Sequence, residues 1–594
     1  MKAEDKATAT AWDPAVLAKQ LQDIAEQSQK LMLRHLSRQR DGHVGMLEPS
    51  TSGGAFLELM TKMMSNPAAL AAAQIDLFNE GFKLWQRAAE QLMGIKTEKP
   101  GSLTDKRFKH PDWTENAIFS FVRESYVVAS KSVLSTVRGV EGLNPHDARK
   151  VDFYTRQFVD AMSPSNFVAT NPEVLRATLD TGGQNLLHGL EHLLNDLDHP
   201  DGQLHIAMTD TKAFKFGENI ATTPGKVVFR NELFELLQYM PTTAQARKRP
   251  LLIVMPWINK YYVLDLQAKN SFIKWAVDQG HTVFITSWIN PDEKLAKETF
   301  EDYMTHGVMA AFDAVEAATG EHSINTIGYC LGGTILATTI AYMAAKGDNR
   351  IASATYFVTL VDFTEVGDME VFVDEEQITA VERRMHEHGY LDAHDMAMSF
   401  NLLRDNDLIW SFVVNNYLLG KEPPPFDLLY WNADATRMPE VMHSFYMRNM
   451  YQKNLLKEPG GITLAGTPID LRQVKTPAFL LSCREDHLAP WKSTYAATQL
   501  FSGPVTFVLA GSGHLAGVIS PPGSKYGHWT NDNLPASPDE WFDGAQAQKG
   551  SWWPYWDKWI SQYDDGRVPA RTPGDANLAV IEDAPGSYVK VRAD

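Results

Sequence analysis

The sequence predicts an α/β architecture: a catalytic domain built on a parallel sheet over about residues 206–594, preceded by a mostly α-helical N-terminal domain over 1–205. Three observations carry this prediction. After residue 205, short apolar runs of strand type at 226–229, 251–255, 282–286, 324–329, 354–361, 478–482 and 505–509 are separated by helical stretches such as 271–279. Strands that alternate with helices form parallel sheets. Before residue 205, apolar residues recur at helical spacing. Between 323 and 347 one strand-like run leads into Gly328-Tyr329-Cys330-Leu331-Gly332-Gly333 and then into an Ala-rich apolar segment of helical character. Strand, tight glycine turn and helix, in that order, make the nucleophile elbow of the α/β-hydrolase fold, here with Cys where Ser is usual. The elbow strains the backbone at its nucleophile, and small residues two positions either side let strand and helix approach. The plain alternative is a buried structural Cys beside a glycine turn.

The bulk composition narrows the function. A chain of 594 residues with 44% hydrophobic content can bury a large core in two or more domains. Two cysteines exclude a disulfide framework and suit a reducing cytoplasm. A formal charge of −18 argues against broad nucleic-acid binding, although a local basic patch could still take an anionic ligand such as coenzyme A. The first twenty residues have no apolar core, so no signal peptide is expected. No run of about 18 apolar residues predicts a transmembrane helix. No metal-ligand spacing, P-loop or dinucleotide fingerprint stands out, and no cofactor is expected.

In order along the chain, Val16, Leu17, Leu21, Ile24 and Ala25 recur at helical spacing, as do Leu57, Leu59, Met60, Met63 and Met64. Ala- and Met-rich helices continue through 67–93. Such helices pack into a bundle, on themselves or on a second copy, or offer an adaptable apolar surface to a partner. Residues 96–105 read as a polar linker. Further helices are expected from Trp113, over 151–162, and from Asn171-Pro172, where Pro sits just inside a helix start. The interval from Cys330 to Asp486 exceeds what one or two β-α units need. Residues 365–450 are therefore read as an insertion, either a cap over the site or a helical decoration away from it. Within it, 375–420 reads as helices and 423–434 as an aromatic loop. The tail holds Trp552, Trp553, Trp556 and Trp559, expected as core anchors.

Two further positions fit the hydrolase order of nucleophile, acid, base. The run 478–482 enters a loop holding Asp486, and the run 505–509 enters Gly511-Ser512-Gly513-His514. Both residues fall where this fold exposes side chains to its site. Cys330 must be a thiolate to attack an acyl carbon, His514 is the base that takes its proton, and Asp486 fixes the imidazole tautomer. Asp362, after the run 354–361, competes for the acid role, and His487 is a weaker candidate base. The oxyanion needs two backbone N–H donors. Leu331, just after the nucleophile, supplies one. The loop 256–262 supplies the other, from Ile258 in preference to Trp257. Cys483 lacks flanking glycines and reads as packed and inert.

Cysteine in this elbow favours acyl transfer. Taking an acyl group from a thioester onto a cysteine exchanges one thioester for another. The enzyme-bound acyl group stays activated, and transfer to an alcohol is then downhill.

GYCLGGT, PWINKYYVLDL, REDHLAPW, GSGHLAGVISPP and SWWP, with DKRFKHPDW, SPSNFVATNPEVL and GQNLLHGL upstream, resemble the class I poly(3-hydroxyalkanoate) synthases. The match runs from about residue 105 to the end. The resemblance implies polymerisation of (R)-3-hydroxyacyl-CoA with release of CoA, on Cys330, Asp486 and His514. In the family the Asp is also assigned to activating the incoming 3-hydroxyl group. The resemblance further implies a homodimer, a movable cap, a peripheral place on cytoplasmic polyester granules, and an N-terminal domain linked to granule-associated proteins. Trp257 and Cys483 stand where smaller residues are expected. The competing functions are a thioesterase or polyester depolymerase on the same scaffold, and a non-catalytic granule-coating protein.

Overall fold

The computed structural model describes residues 49–93, 105–199, 203–574 and 577–593. The helical pattern expected at 16–25, and nearly all of the linker expected at 96–105, lie outside them. The chain forms two compact units: residues 1–210 with 404–424, and residues 211–403 with 425–594.

The first unit is helical. Its main helices are Pro49–Ser65, Pro67–Leu92, Ala117–Arg138, Pro145–Ala161, Pro172–Asp180 and Gln184–Leu197. Asn171 caps its helix as the sequence suggests, its side chain accepting from the Glu173 and Val174 N–H groups. Ala55 and Leu59 pack on Val151, with Phe56, Met63, Val137, Val140 and Leu143 around them. The same helix leaves Leu57, Met60 and Met64 exposed. Residues 404–424, the middle of the insertion read from the sequence, belong to this unit rather than to a single cap. The Tyr417 hydroxyl donates to Asp196 at 2.6 Å, and Asn185 Nδ2 donates to the Leu418 carbonyl at 2.7 Å. A Cβ on Gly189 would lie 1.8 Å from the Tyr417 carbonyl oxygen, so only glycine admits this backbone approach.

The second unit is built on one eleven-stranded sheet. Its strands in chain order are β1 (Gly225–Arg230), β2 (Phe234–Tyr239), β3 (Leu251–Val254), β4 (Val283–Trp288), β5 (Ile324–Tyr329), β6 (Ile351–Phe357), β7 (Ala478–Cys483), β8 (Val505–Ala510), β9 (His528–Thr530), β10 (Gln546–Gln548) and β11 (Glu582–Asp583). They lie side by side as β10-β9-β8-β7-β6-β5-β3-β4-β2-β1-β11. The six from β4 to β8 pair in parallel, as the alternating pattern predicts. The edges depart from that expectation. β1, β2, β9, β10 and β11 join antiparallel, since β1 and β2 are linked by a connection too short for a parallel crossover. β2 also hides from a pattern search, because buried Glu235 and Gln238 interrupt it. Glu235 is held by a 2.6 Å ion pair to Arg230 on the adjacent strand.

The helix after β5, Leu331–Lys346, is apolar nearly all round and buried along almost its whole length. Its threonines return their hydroxyls to carbonyls, Thr338 to Thr334 at 2.8 Å and Thr339 to Ile335 at 2.7 Å. Within the insertion, Asp427–Asn432 is a helix where a loop was expected, and prolines 423–425 keep only the stretch before it extended.

Candidate active site

The elbow is built by contacts that exclude side chains. A Cβ on Gly328 would lie 2.4 Å from the Gly333 Cα, one on Gly332 2.2 Å from the Val254 carbonyl oxygen, and one on Gly333 1.9 Å from Thr359 Oγ1. Strand β5, its helix and the end of β3 therefore meet as bare backbone. Cys330 is left at φ 50°, ψ −118°, a region costly for a residue with a Cβ. Its N–H donates to the Phe357 carbonyl at 2.8 Å, and its carbonyl accepts from Gly333 and Thr334 at 2.9 and 3.1 Å. These bonds hold the strained turn, which presents the sulfur, part-exposed, above the sheet.

Asp486 follows β7 and His514 follows β8. The two loops are stitched together by Arg484 N–H to the Ala510 carbonyl and Glu485 N–H to the Ser512 carbonyl, both 2.9 Å. Asp486 Oδ1 accepts from the Leu488 and Ala489 N–H groups at 2.9 Å, and its Oδ2 lies 2.7 Å from His514 Nδ1. The Cys330 sulfur is near enough to act electrostatically on the His514 ring. With Nδ1 engaged by Asp486, Nε2 is the ring nitrogen left for the sulfur. Burial alone would push the imidazole pKa down; the carboxylate of Asp486 and the sulfur of Cys330 outweigh it and raise it to about 10.

The segment after His514 is anchored from the tail. The indole N–H groups of Trp552 and Trp553 donate to the Gly517 and Val518 carbonyls at 2.9 Å, and Trp556 donates to Thr355 Oγ1 at 3.0 Å. These tryptophans are core anchors that also fix the His514 loop. Cys483 is buried under the same loop, where a Cβ on Gly517 would reach to 2.4 Å from its sulfur. Burial pushes its thiol well above the usual range, so it stays protonated.

The competing acid and base make other contacts, and the oxyanion candidates flank the elbow. Asp362 spends its carboxylate locally, on Thr364 N–H and Oγ1, on Asn454 Nδ2 and near Lys457. His487 is half-buried, and it is the ring of His514 that pairs with Asp486. Ile258 and Trp257 are both buried, in the loop that leaves the end of β3 beside Gly332. Leu331 is the first residue of the elbow helix.

Two cap tyrosines escaped the sequence reading. Tyr446 and Tyr451 lie in succession on a helix, Glu440–Tyr446, and the π-helix that continues it, Met447–Gln452. Their rings meet edge to face, 5.4 Å apart, against Phe363. Both hydroxyls are pushed above the usual range by burial, with the charge of Cys330 adding to it. A five-residue spacing between two tyrosines carries no motif, and the π-helical winding brings their rings together. Among the described residues, no group of three or more His, Cys, Asp or Glu could hold a metal ion.

The chain is similar to known proteins along nearly its whole length. The family model of the poly-beta-hydroxybutyrate polymerase (PhaC) N-terminus matches residues 104–276, and that of the alpha/beta hydrolase fold matches residues 261–521. The poly(3-hydroxyalkanoate) polymerase of Methylorubrum extorquens is 47% identical over 589 residues, covering 97% of each chain. The poly(3-hydroxyalkanoate) polymerase subunit PhaC of Rhizobium meliloti is 47% identical, covering 98% of this chain and 96% of its own. That of Cupriavidus necator is 41% identical, covering 94% of each.

Proposed function

This chain belongs to the poly(3-hydroxyalkanoate) polymerase family and polymerises 3-hydroxyacyl units into polyester, and from that premise we propose that it does so through a thioester on Cys330. His514 already holds the thiol proton, and the sulfur attacks the thioester carbonyl of (R)-3-hydroxyacyl-CoA as a thiolate. The oxyanion is met by the N–H groups of Leu331 and Ile258. The intermediate collapses, the C–S bond to CoA breaks, and the proton on His514 leaves with the CoA thiol. The 3-hydroxyl of a second acyl unit then gives its proton to His514 as its oxygen attacks the enzyme thioester. An ester bond forms and the Cys330 sulfur is released, to be protonated again. Asp486, bonded to Nδ1, keeps the imidazole in the tautomer that offers Nε2 to each proton in turn.

The observation that supports this reading is the buried His514–Asp486 pair, 2.7 Å from Nδ1 to Oδ2, with the Cys330 sulfur acting on the same imidazole. Because the enzyme-bound acyl group is a thioester, transfer to a hydroxyl is downhill, which suits chain growth. Tyr446 and Tyr451, both buried and within electrostatic reach of Cys330, would shield the intermediate from water.

With 3-hydroxybutyryl-CoA, the intact protein should release CoA and form insoluble polymer, and Cys330→Ala should do neither. Turnover in Cys330→Ala would overturn the thioester route. CoA release without polymer from the intact protein would point to a thioesterase instead.

The protein would work at a cytoplasmic granule surface and as a homodimer, with granule-associated proteins as partners. The feature in favour is an apolar stripe on the helix Pro67–Leu92, where Ile75, Phe78, Phe82 and Trp85 recur every three or four residues and stay exposed. No described helix is long and apolar enough to cross a membrane.

A further inference from the structure

The loop that leaves β3 is tied, residue by residue, to the cap segment 431–436. The Trp257 carbonyl accepts from Thr436 Oγ1 at 3.0 Å, a buried bond. Asn259 pairs with Ala435 in an antiparallel bridge. The Lys260 carbonyl accepts from Trp431 Nε1 at 2.7 Å. Lys260 Nζ lies 2.6 Å from Asp434 Oδ1, both side chains buried, and the Tyr262 hydroxyl donates to Asp434 Oδ2 at 2.9 Å.

One of these bonds has a consequence for the chemistry. A trans peptide is planar, and its C=O and N–H point in opposite directions. The carbonyl of Trp257 and the N–H of Ile258 belong to the same peptide. When Thr436 holds that carbonyl, it also sets the direction of the Ile258 N–H, away from the cap segment. The strand end that leads into this loop abuts the elbow, where Gly332 lies against Val254 and Met255. We propose that Thr436 is a positioning residue of the oxyanion hole: its hydroxyl locks the Trp257–Ile258 peptide so that the Ile258 N–H faces the reacting carbonyl. This rests on the reading of Ile258 as a donor and of Cys330 as the nucleophile. It adds that a donor assigned to the sheet's own loop is aimed by the cap. Movement of segment 434–436 would then switch the hole between formed and unformed.

Thr436→Val keeps the shape and removes the hydroxyl; Thr436→Ser keeps the hydroxyl. Both are assayed in the full chain with 3-hydroxybutyryl-CoA, beside Cys330→Ala. Alkylation of Cys330 by iodoacetamide provides a second readout, because it needs the thiolate but no oxyanion hole. Misaiming one donor should cost less than deleting it, so Thr436→Val is expected to lower kcat about 10- to 100-fold with KM nearly unchanged. Its alkylation rate should match that of the unaltered protein, and Thr436→Ser should restore most of kcat. An unchanged kcat in Thr436→Val, with Cys330→Ala inactive, would overturn the inference and leave the thioester route standing. Alkylation that falls in step with kcat, or a Ser variant as poor as Val, would also overturn it, because the hydroxyl would then serve only packing. An active Cys330→Ala would remove the nucleophile reading and this inference with it.

Discussion

The loops that carry Cys330, Asp486 and His514 and the segment 427–452, at the end of the proposed cap, are held in place by different means. In the strand-end loops, position is set chiefly by backbone: glycines at close contact, a left-handed φ at Cys330, and N–H to carbonyl bonds between neighbouring loops, with the Trp552 and Trp553 indoles bracing the segment after His514. In the cap, position is set by side chains: the buried pair of Lys260 and Asp434, the hydroxyl of Thr436, and the guanidinium of Arg448 clasping Glu375 and Glu382. Backbone contacts leave no room for adjustment, whereas side-chain pairs can be broken and remade. The difference suits the proposed chemistry, in which a rigid nucleophile would lie beneath a cover that admits a substrate and passes a growing chain.

The sharpest way to break the comparison is to add one carbon to the elbow. Gly332→Ala places a Cβ 2.2 Å from the Val254 carbonyl oxygen, far inside non-bonded contact, and the obstacle is backbone. Turnover should fall at least about 100-fold, with a clear loss in melting temperature. The same substitution at Gly81, inside the helix Pro67–Leu92 with nothing within 4 Å of its Cβ, should stabilise by up to about 1 kcal/mol. A Gly332→Ala protein with near-normal turnover would show that the elbow is not built on that contact.

The cap should respond less severely and in a different manner. Removing one partner of a buried ion pair leaves a bare charge and typically costs about 3–5 kcal/mol. Asp434→Ala should cost that much in a urea unfolding curve, since Lys260 and Asp434 are both almost fully buried. The double variant Lys260→Met with Asp434→Leu should recover much of the loss, because apolar groups fill the space without a desolvated charge. A double variant as unstable as the single one would show that the pair contributes more than charge balance.

These two kinds of support also decide what could be read from sequence. The elbow is spelled out within six residues, Gly328 to Gly333, and the acid and base loops each directly follow an apolar run, so Cys330, Asp486 and His514 could be picked out together. The contacts of the cap join residues far apart in the chain, such as Thr436 and Trp257, and no local pattern encodes them. Strand β2 was missed for a related reason. Its buried Glu235 looks like a surface residue until Arg230 is placed beside it. The placing of 404–424 with the helical unit depends on Gly189 and Asp196, which as single residues carry no signal of a partner.

The smallest effect, and the finest test of the contrast, is in pH. His514 keeps its proton in the folded protein to about 10, against 6.5 for an ordinary histidine, because Asp486 and Cys330 outweigh its burial. Its contribution to stability is complete below 6.5 and is lost as pH rises through about 10. Glu375 behaves in the opposite sense. Its hydrogen bonds to Arg448 and Gln452 lower it to about 2, against 4.5 for an ordinary glutamate. Its contribution is present above 4.5 and is lost as pH falls through about 2. Melting temperature followed across pH should therefore show an alkaline limb that Asp486→Asn flattens and an acid limb that Arg448→Ala reduces. Because Glu375 is exposed to solvent and His514 is sealed, 0.5 M salt should weaken the acid limb and spare the alkaline one. Equal sensitivity of both limbs to salt would mean that water reaches the imidazole as freely as it reaches the cap's surface. The elbow and its partners would then lack the dry surroundings that the proposed Cys330 thioester needs.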